Sequence, residues 1–84
     1  MHQHLMDLAR QRIRDVVLPA APALRTEGFR SVGRTCEVCS QFIAPGSPLI
    51  CIHWESPGES HEAPLHPICH AVWLTLVTEH FTAR

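Results

Sequence analysis

The hydrophobic positions near the start of the chain recur at helical spacing. Between residues 3 and 18 the apolar side chains fall at intervals of three and four along one stripe, and Arg10, Arg14 and Asp15 lie largely away from it. The stripe consists of Leu5, Leu8, Ala9, Ile13, Val16 and Val17. Proline cannot continue a helix, so Pro19 marks a stop. We therefore predict an amphipathic helix over residues 3–18.

An irregular connector follows this helix. Pro19, Pro22 and Gly28 interrupt any regular pattern over residues 19–28. Residues 29–32, with the sequence FRSV, favour a short strand that leads into the first cysteines.

The middle of the chain has the alternation of a β-hairpin. Residues 48–56 place apolar side chains on both faces of a strand. One face carries Ile50, Ile52 and Trp54, and the other carries Leu49, Cys51 and His53. The sequence SPGES at 56–60 is a turn signal. We expect a short returning strand, because Pro64 cannot donate a ladder hydrogen bond.

The C-terminal segment predicts a second helix, from Pro67 to about Phe81. Its apolar arc spans roughly two-thirds of the helix, against a usual stripe of about 100°. The arc contains Ile68, Val72, Trp73, Leu74, Leu76, Val77 and Phe81. The hairpin can cover only part of this surface. We expect the remainder to be covered by the N-terminal helix or by a second copy of the chain.

The length favours additional stabilisation by disulfides, a metal or a partner subunit, since an 84-residue chain buries only a marginal core. Its four cysteines could form two disulfides in a secreted protein. The first 17 residues, however, lack the apolar run and small-residue cleavage site of a signal peptide. No stretch approaches the roughly 20 apolar residues of a membrane span. We therefore expect a cytoplasmic protein without a membrane segment, in which clustered cysteines favour a metal.

Two pairs of metal-binding residues have matching spacing. Cys36 and Cys39 are separated by two residues, and so are His66 and Cys69. This pattern is typical of structural zinc sites with three cysteines and one histidine. In the second pair, Pro67 suits the first helical position, and it would hold His66 and Cys69 at the start of the helix. The sequence predicts one structural Zn²⁺ with four protein ligands and no open position, and hence no catalytic residues.

Other assignments remain open. The four residues could be unrelated core or loop side chains, or they could form disulfides. His70 could replace His66 as a ligand, although it points about 100° further around the helix. Cys51 fits better as a buried side chain in a strand. His53 and His61, near the hairpin, could bind a second metal with an open position.

The charge is divided along the chain. Residues 1–35 carry six arginines against three acidic residues, a net +3, while residues 36–84 carry one arginine against five glutamates, a net −4. The zinc-ligand region from 35 to 70 has no basic residue, apart from its histidines. Nucleic-acid affinity depends mainly on phosphate contacts from basic side chains. Nucleic acid is therefore not the favoured partner.

The segment GRTCEVCSQFIAPGSPL, together with LHPICHAVW further along, resembles a treble-clef zinc module. It is similar to LIM-type modules and to the zinc fingers of poly(ADP-ribose) polymerases. The resemblance covers about half of the chain and implies a zinc knuckle, a β-hairpin and a helix that supplies the last ligands. It also implies Cys36, Cys39, His66 and Cys69 as ligands, with Ile43 and Trp73 in the core. The polymerase fingers bind DNA ends through basic surfaces that this segment lacks.

We therefore predict a small zinc-stabilised α+β domain: a treble-clef-like knuckle, a β-hairpin and a C-terminal helix, plus the N-terminal amphipathic helix. Residues 1–28 form the helix and connector, and residues 29–84 form the zinc-binding domain. The predicted function is protein interaction or regulation, through a protein partner or a homodimer that uses the apolar helix faces. A nucleic-acid-binding finger that uses the arginine-bearing N-terminal half is one alternative. A treble-clef metal-dependent nuclease is the other.

Overall fold

The structure is a computed structural model that describes residues 3–82, with side chains described up to residue 79. It contains two helices and five strands. In chain order these are α1 (Gln3–Arg14), β1 (Arg25–Arg30), β2 (Arg34–Thr35), β3 (Phe42–Ile43), β4 (Pro48–Ser56), β5 (Glu59–Leu65) and α2 (Pro67–Thr82). Neither helix is both long enough and apolar enough to cross a membrane.

The strands form two antiparallel sheets. The larger one has the order β1-β4-β5, with β4 in the centre, and β2 pairs with β3 in a small second sheet. The predicted hairpin is confirmed, since β4 and β5 are joined by a tight turn at residues 57–58. The predicted α+β fold, with a C-terminal helix that begins at Pro67, is confirmed as well.

Helix α1 is shorter than the sequence predicts. It ends at Arg14, because Val16 adopts a left-handed conformation with φ of 61°. The backbone N–H groups of Val17 and Leu18 then both donate to the Arg12 carbonyl, which closes the helix end. This reversal exposes Val16 and buries Leu18. The prediction that Val16 and Val17 belong to the apolar stripe of this helix was therefore wrong.

Strand β1 lies where the sequence predicts a connector. It covers residues 25–30, not 29–32, and pairs along its whole length with β4. Nearly all of its side chains are exposed, so it lacks the apolar alternation that identifies a strand. The predicted division between residues 28 and 29 falls inside β1, and that division stays a prediction.

Strand β5 is longer than expected, at seven residues including Pro64. It is an edge strand, so a residue without an N–H group is tolerated there. The Pro64 carbonyl accepts a hydrogen bond of 3.1 Å from the Glu37 N–H, which joins β5 to the loop between β2 and β3.

The core lies between the helices and the larger sheet. Helix α1 packs against α2 within the chain, and α2 packs against β4 and β5. The largest fully buried side chains are Trp73, Leu18, Ile43, Ile52, Leu65, Val38 and Val77. Ile43 and Trp73 are thus core residues, as the resemblance implies. Two residues of the wide apolar arc of α2 remain partly exposed: Ile68 at 44% and Leu74 at 40%. The Phe81 side chain, also assigned to this arc, lies outside the described side chains.

Candidate metal centre

The first cysteine pair lies in the loop between β2 and β3. The Cys36 N–H donates to the Gln41 carbonyl (3.0 Å), and the Ser40 N–H donates to the Cys36 carbonyl (3.0 Å). Ser40 adopts φ of 63°, which completes the reversal. The Val38 N–H points at the Cys36 sulfur at 3.4 Å, so the backbone supplies a positive dipole to that sulfur. The loop therefore presents its thiols in a way that suits a cation-bound thiolate.

The second pair lies at the start of α2. His66 immediately follows β5, Pro67 is the first helical residue, and Cys69 falls in the first turn. The His70 N–H donates to the His66 carbonyl (2.9 Å), which is the first hydrogen bond of the helix. Because the N-terminal end of a helix carries partial positive charge, this position would help to stabilise a Cys69 thiolate once it binds a cation.

The fold brings the two pairs together. One ligand atom from each of Cys36, Cys39, His66 and Cys69 lies within 4.8 Å of the others. The Cys39 Sγ is 3.4 Å from His66 Nδ1. A tetrahedral zinc ion with its usual bond lengths would separate a sulfur from a nitrogen ligand by roughly 3.5 Å. The four side chains could therefore hold a metal ion such as zinc with little rearrangement.

Burial and charge also fit a cation. Cys36 and Cys69 are each 1% exposed, while Cys39 and His66 are half-buried. A hydrogen bond from Cys69 lowers the pKa of Cys36 to about 4, against the opposing effect of burial. The same hydrogen bond, together with burial, raises the pKa of Cys69. Three thiolates this close repel one another, and a divalent cation removes that repulsion.

Long-range contacts hold the centre in place. The buried Trp73 indole N–H donates to the Pro19 carbonyl at 3.0 Å, which ties the connector after α1 to α2. The Arg12 guanidinium donates to Ser40 Oγ (2.8 Å) and to the Val38 carbonyl (3.3 Å). Sequence reasoning missed this role of Arg12, because no local pattern links residues separated by 26 and 28 positions.

The other histidines considered above lie outside this cluster. His70 is half-buried, with its ring centre 5.9 Å from that of Trp73, and burial lowers its pKa. His61 stacks on Trp54 with ring centres 5.3 Å apart, and its Nε2 is 2.8 Å from Ser56 Oγ. Trp54 is thus half-buried beneath a histidine and is not a fully buried core residue.

Cys51 and His53 form a separate cluster with Glu62. Their ligand atoms also lie within 4.8 Å of one another. Burial, followed by the nearby charge of Glu62, raises the pKa of the Cys51 thiol. Glu62 was not among the candidate ligands from the sequence. No local sequence pattern indicates Glu62 as a ligand, because its position beside His53 depends on the register between β4 and β5.

Comparisons with family models, with curated proteins and with solved structures find no match to this chain.

Proposed function

We propose that this chain is a small structural-zinc-binding protein that acts as a protein-interaction or regulatory module. The observation that carries the proposal is the donor set of Cys36, Cys39, His66 and Cys69. Three thiolates and one imidazole are typical of structural zinc sites, and four protein ligands leave no position for a substrate. The ion would crosslink the β2–β3 loop to α2 and would contribute to folding, and this centre would perform no catalysis.

The order of elements supports a treble-clef type of module. The β2–β3 loop with the first two ligands precedes the β4–β5 hairpin, and α2 supplies the last ligand from its first turn. LIM-type modules and poly(ADP-ribose) polymerase fingers have a similar arrangement. A fold of this kind does not specify a function, so the function must come from the surface.

An apolar patch on the surface supports protein interaction. We define the apolar patch as Phe29, Val32 and Phe42, which are 51%, 86% and 62% exposed. Phe29 and Val32 line the same cleft, and the Phe42 ring lies beside Gly33. Large apolar side chains that are this exposed are typical of interaction surfaces. The partner would be another protein or a second copy of this chain, in the cytoplasm.

The helix faces are less suitable for this role. Helices α1 and α2 pack against each other and so cover much of their apolar surface. Ile68 and Leu74 remain partly exposed, but less so than the members of the apolar patch. We therefore place the interaction surface on the apolar patch and use the two helix residues as a control.

The arginine contacts disfavour nucleic acid as the partner. Five of the six arginines in the N-terminal half already contact other groups of the chain. The contacts join Arg10 to Asp7, Arg12 to Ser40, Arg25 to Glu27, Arg30 to the Gly46 carbonyl, and Arg34 to Glu62. Three of these partners are carboxylates, which offset the positive charge that phosphate would require. The four-ligand donor set leaves no open metal position, so a nuclease-like activity would depend on a second metal site.

The test compares two double variants of the zinc-loaded protein. The first, Phe29→Ser with Phe42→Ser, removes the aromatic part of the apolar patch. The second, Ile68→Ser with Leu74→Ser, is the control. Sedimentation velocity over a wide concentration range measures self-association, and quantitative affinity capture measures other partners. Zinc content and circular dichroism verify that both variants fold.

We expect the association constant of the patch variant to fall at least tenfold, while that of the control stays at the wild-type value. This loss would follow because hot-spot aromatic residues carry most of the binding energy at interfaces. The interaction function is rejected if the wild-type chain shows no self-association and captures no partner. It is also rejected if the patch variant keeps the association that the wild-type chain shows.

A further inference from the structure

Four chemically active side chains converge on one face of the larger sheet. Cys51 and His53 are two residues apart on β4, so they point to the same side. In the antiparallel pairing, Glu27 of β1 lies opposite Cys51, and Glu62 of β5 lies opposite His53. Directly opposed residues share a face. A thiol, an imidazole and two carboxylates are therefore gathered from three strands, apart from the donor set described above.

The distances suit a shared cation. The ligand atoms of Cys51, His53 and Glu62 lie within 4.8 Å of one another, and His53 Nδ1 is 3.8 Å from Glu62 Oε2. A tetrahedral zinc ion would place a nitrogen and an oxygen ligand roughly 3.4 Å apart. A shift of a few tenths of an ångström would close this gap. Glu62 can make that shift, because its side chain is 55% exposed.

Glu27 is placed to orient the histidine. Its Oε1 is 2.9 Å from His53 Nε2, but it lies off the direction in which Nε2 could form a hydrogen bond. Nε2 is buried and has no hydrogen-bond partner among the described residues. A small rotation of the carboxylate would align the pair. Metal-bound histidines commonly donate their second N–H to a carboxylate, which fixes the ring and strengthens the ligand.

The surroundings leave one side of the cluster accessible. Cys51, His53, Glu62 and Glu27 all line a cleft of about 440 Å³ that opens to solvent. Arg34 is 3.8 Å from Glu62 Oε1 and lines the same cleft. Three protein ligands at the wall of an open cleft leave a fourth coordination position for a water molecule or a small anion.

The geometry points to a second metal site in this protein, for a divalent ion of the zinc class. Cys51, His53 and Glu62 are its ligands, Glu27 orients His53, and the fourth position faces the cleft. The Cys51 thiol loses its proton to solvent when the metal binds. This site differs in kind from the four-ligand centre, which is closed. It stands whether or not the apolar patch binds a protein.

Metal stoichiometry tests the site directly. The full chain is titrated with Zn²⁺ and with Co²⁺, and bound metal is counted by native mass spectrometry and elemental analysis. We expect two equivalents for the wild type and one equivalent for Glu62→Gln and for Cys51→Ala. Glu62 is exposed enough for its variant to fold, which circular dichroism checks. Glu59→Gln is the control, since Glu59 pairs with His61 at 3.5 Å outside the cluster, and it should keep two equivalents.

Two further measurements address the parts played by Glu27 and the cleft. Glu27→Gln should keep two equivalents but bind the second about 10–100-fold more weakly, as for other carboxylates that orient a metal-bound histidine. Azide should change the visible spectrum of the second Co²⁺ in the wild type, which reports an open position. The proposed second site is rejected if the wild-type chain binds only one equivalent of metal at saturation. It is also rejected if Glu62→Gln and Cys51→Ala still bind two equivalents. An unchanged azide spectrum would overturn the open position.

Discussion

Replacing Trp73 with Phe should destabilise the domain far more than the same replacement at Trp54. Trp73 is fully buried, and its indole N–H donates to the Pro19 carbonyl at 3.0 Å. Phenylalanine fills part of the space but cannot donate. The hydrogen bond joins positions 54 residues apart, so its loss would also loosen the connector after α1.

The magnitude follows from two contributions. A carbonyl that loses its hydrogen bond in a partly buried place costs about 1–2 kcal/mol. The smaller ring leaves roughly 40 Å³ unfilled, which costs about 1 kcal/mol. The sum is about 2–3 kcal/mol. For a domain of this size the corresponding fall in Tm is about 10–20 °C.

Urea unfolding followed by far-ultraviolet circular dichroism measures the difference at a fixed, saturating zinc concentration. Tryptophan fluorescence is unsuitable, because both variants remove a fluorophore. Trp54→Phe is the matched control: Trp54 is half-buried and stacks on His61, and a phenyl ring preserves that stacking. We expect its cost to stay below about 1 kcal/mol. Equal costs for the two variants would refute the role assigned to the Trp73–Pro19 hydrogen bond.

Three more predictions concern the metal and the backbone. Removing the metal with a chelator should abolish the cooperative unfolding transition measured by calorimetry. Structural zinc binding contributes about 10 kcal/mol or more, which is comparable to the total stability of about 4–13 kcal/mol expected for 84 residues. A transition that persists without metal would contradict this. Val16→Gly should raise the unfolding free energy by about 1 kcal/mol, since glycine tolerates the left-handed φ of 61°; a fall in stability would show that Val16 is not strained. Ser31→Ala should cost about 2–3 kcal/mol, because the buried Ser31 hydroxyl donates to the Ile43 carbonyl (2.8 Å) and accepts from the Gly33 N–H (2.9 Å). The exposed control Ser60→Ala should change stability by less than about 0.5 kcal/mol, and equal effects of the two would count against these hydrogen bonds.

The elements that the sequence predicted well depend on neighbouring residues. Pro67 sets the start of α2, and the turn at 56–60 sets the β4–β5 hairpin. The pairs Cys36/Cys39 and His66/Cys69, which the fold gathers into a cluster that could hold a metal ion, were also predicted from their spacing, since two intervening residues suffice to aim both side chains at one point. Each of these signals lies within a few positions along the chain, where backbone geometry and residue type act directly.

The tertiary structure alone decided which distant segments meet. Strand β1 exists because β4 offers an edge to pair with, and its exposed side chains carry no strand pattern of their own. Glu62 joins Cys51 and His53 only because β5 pairs with β4 in one register, and a shift of one residue would turn it to the other face. Arg12 reaches Ser40 across 28 residues. Such contacts depend on the total free energy of packing the whole chain, which no local stretch of sequence contains.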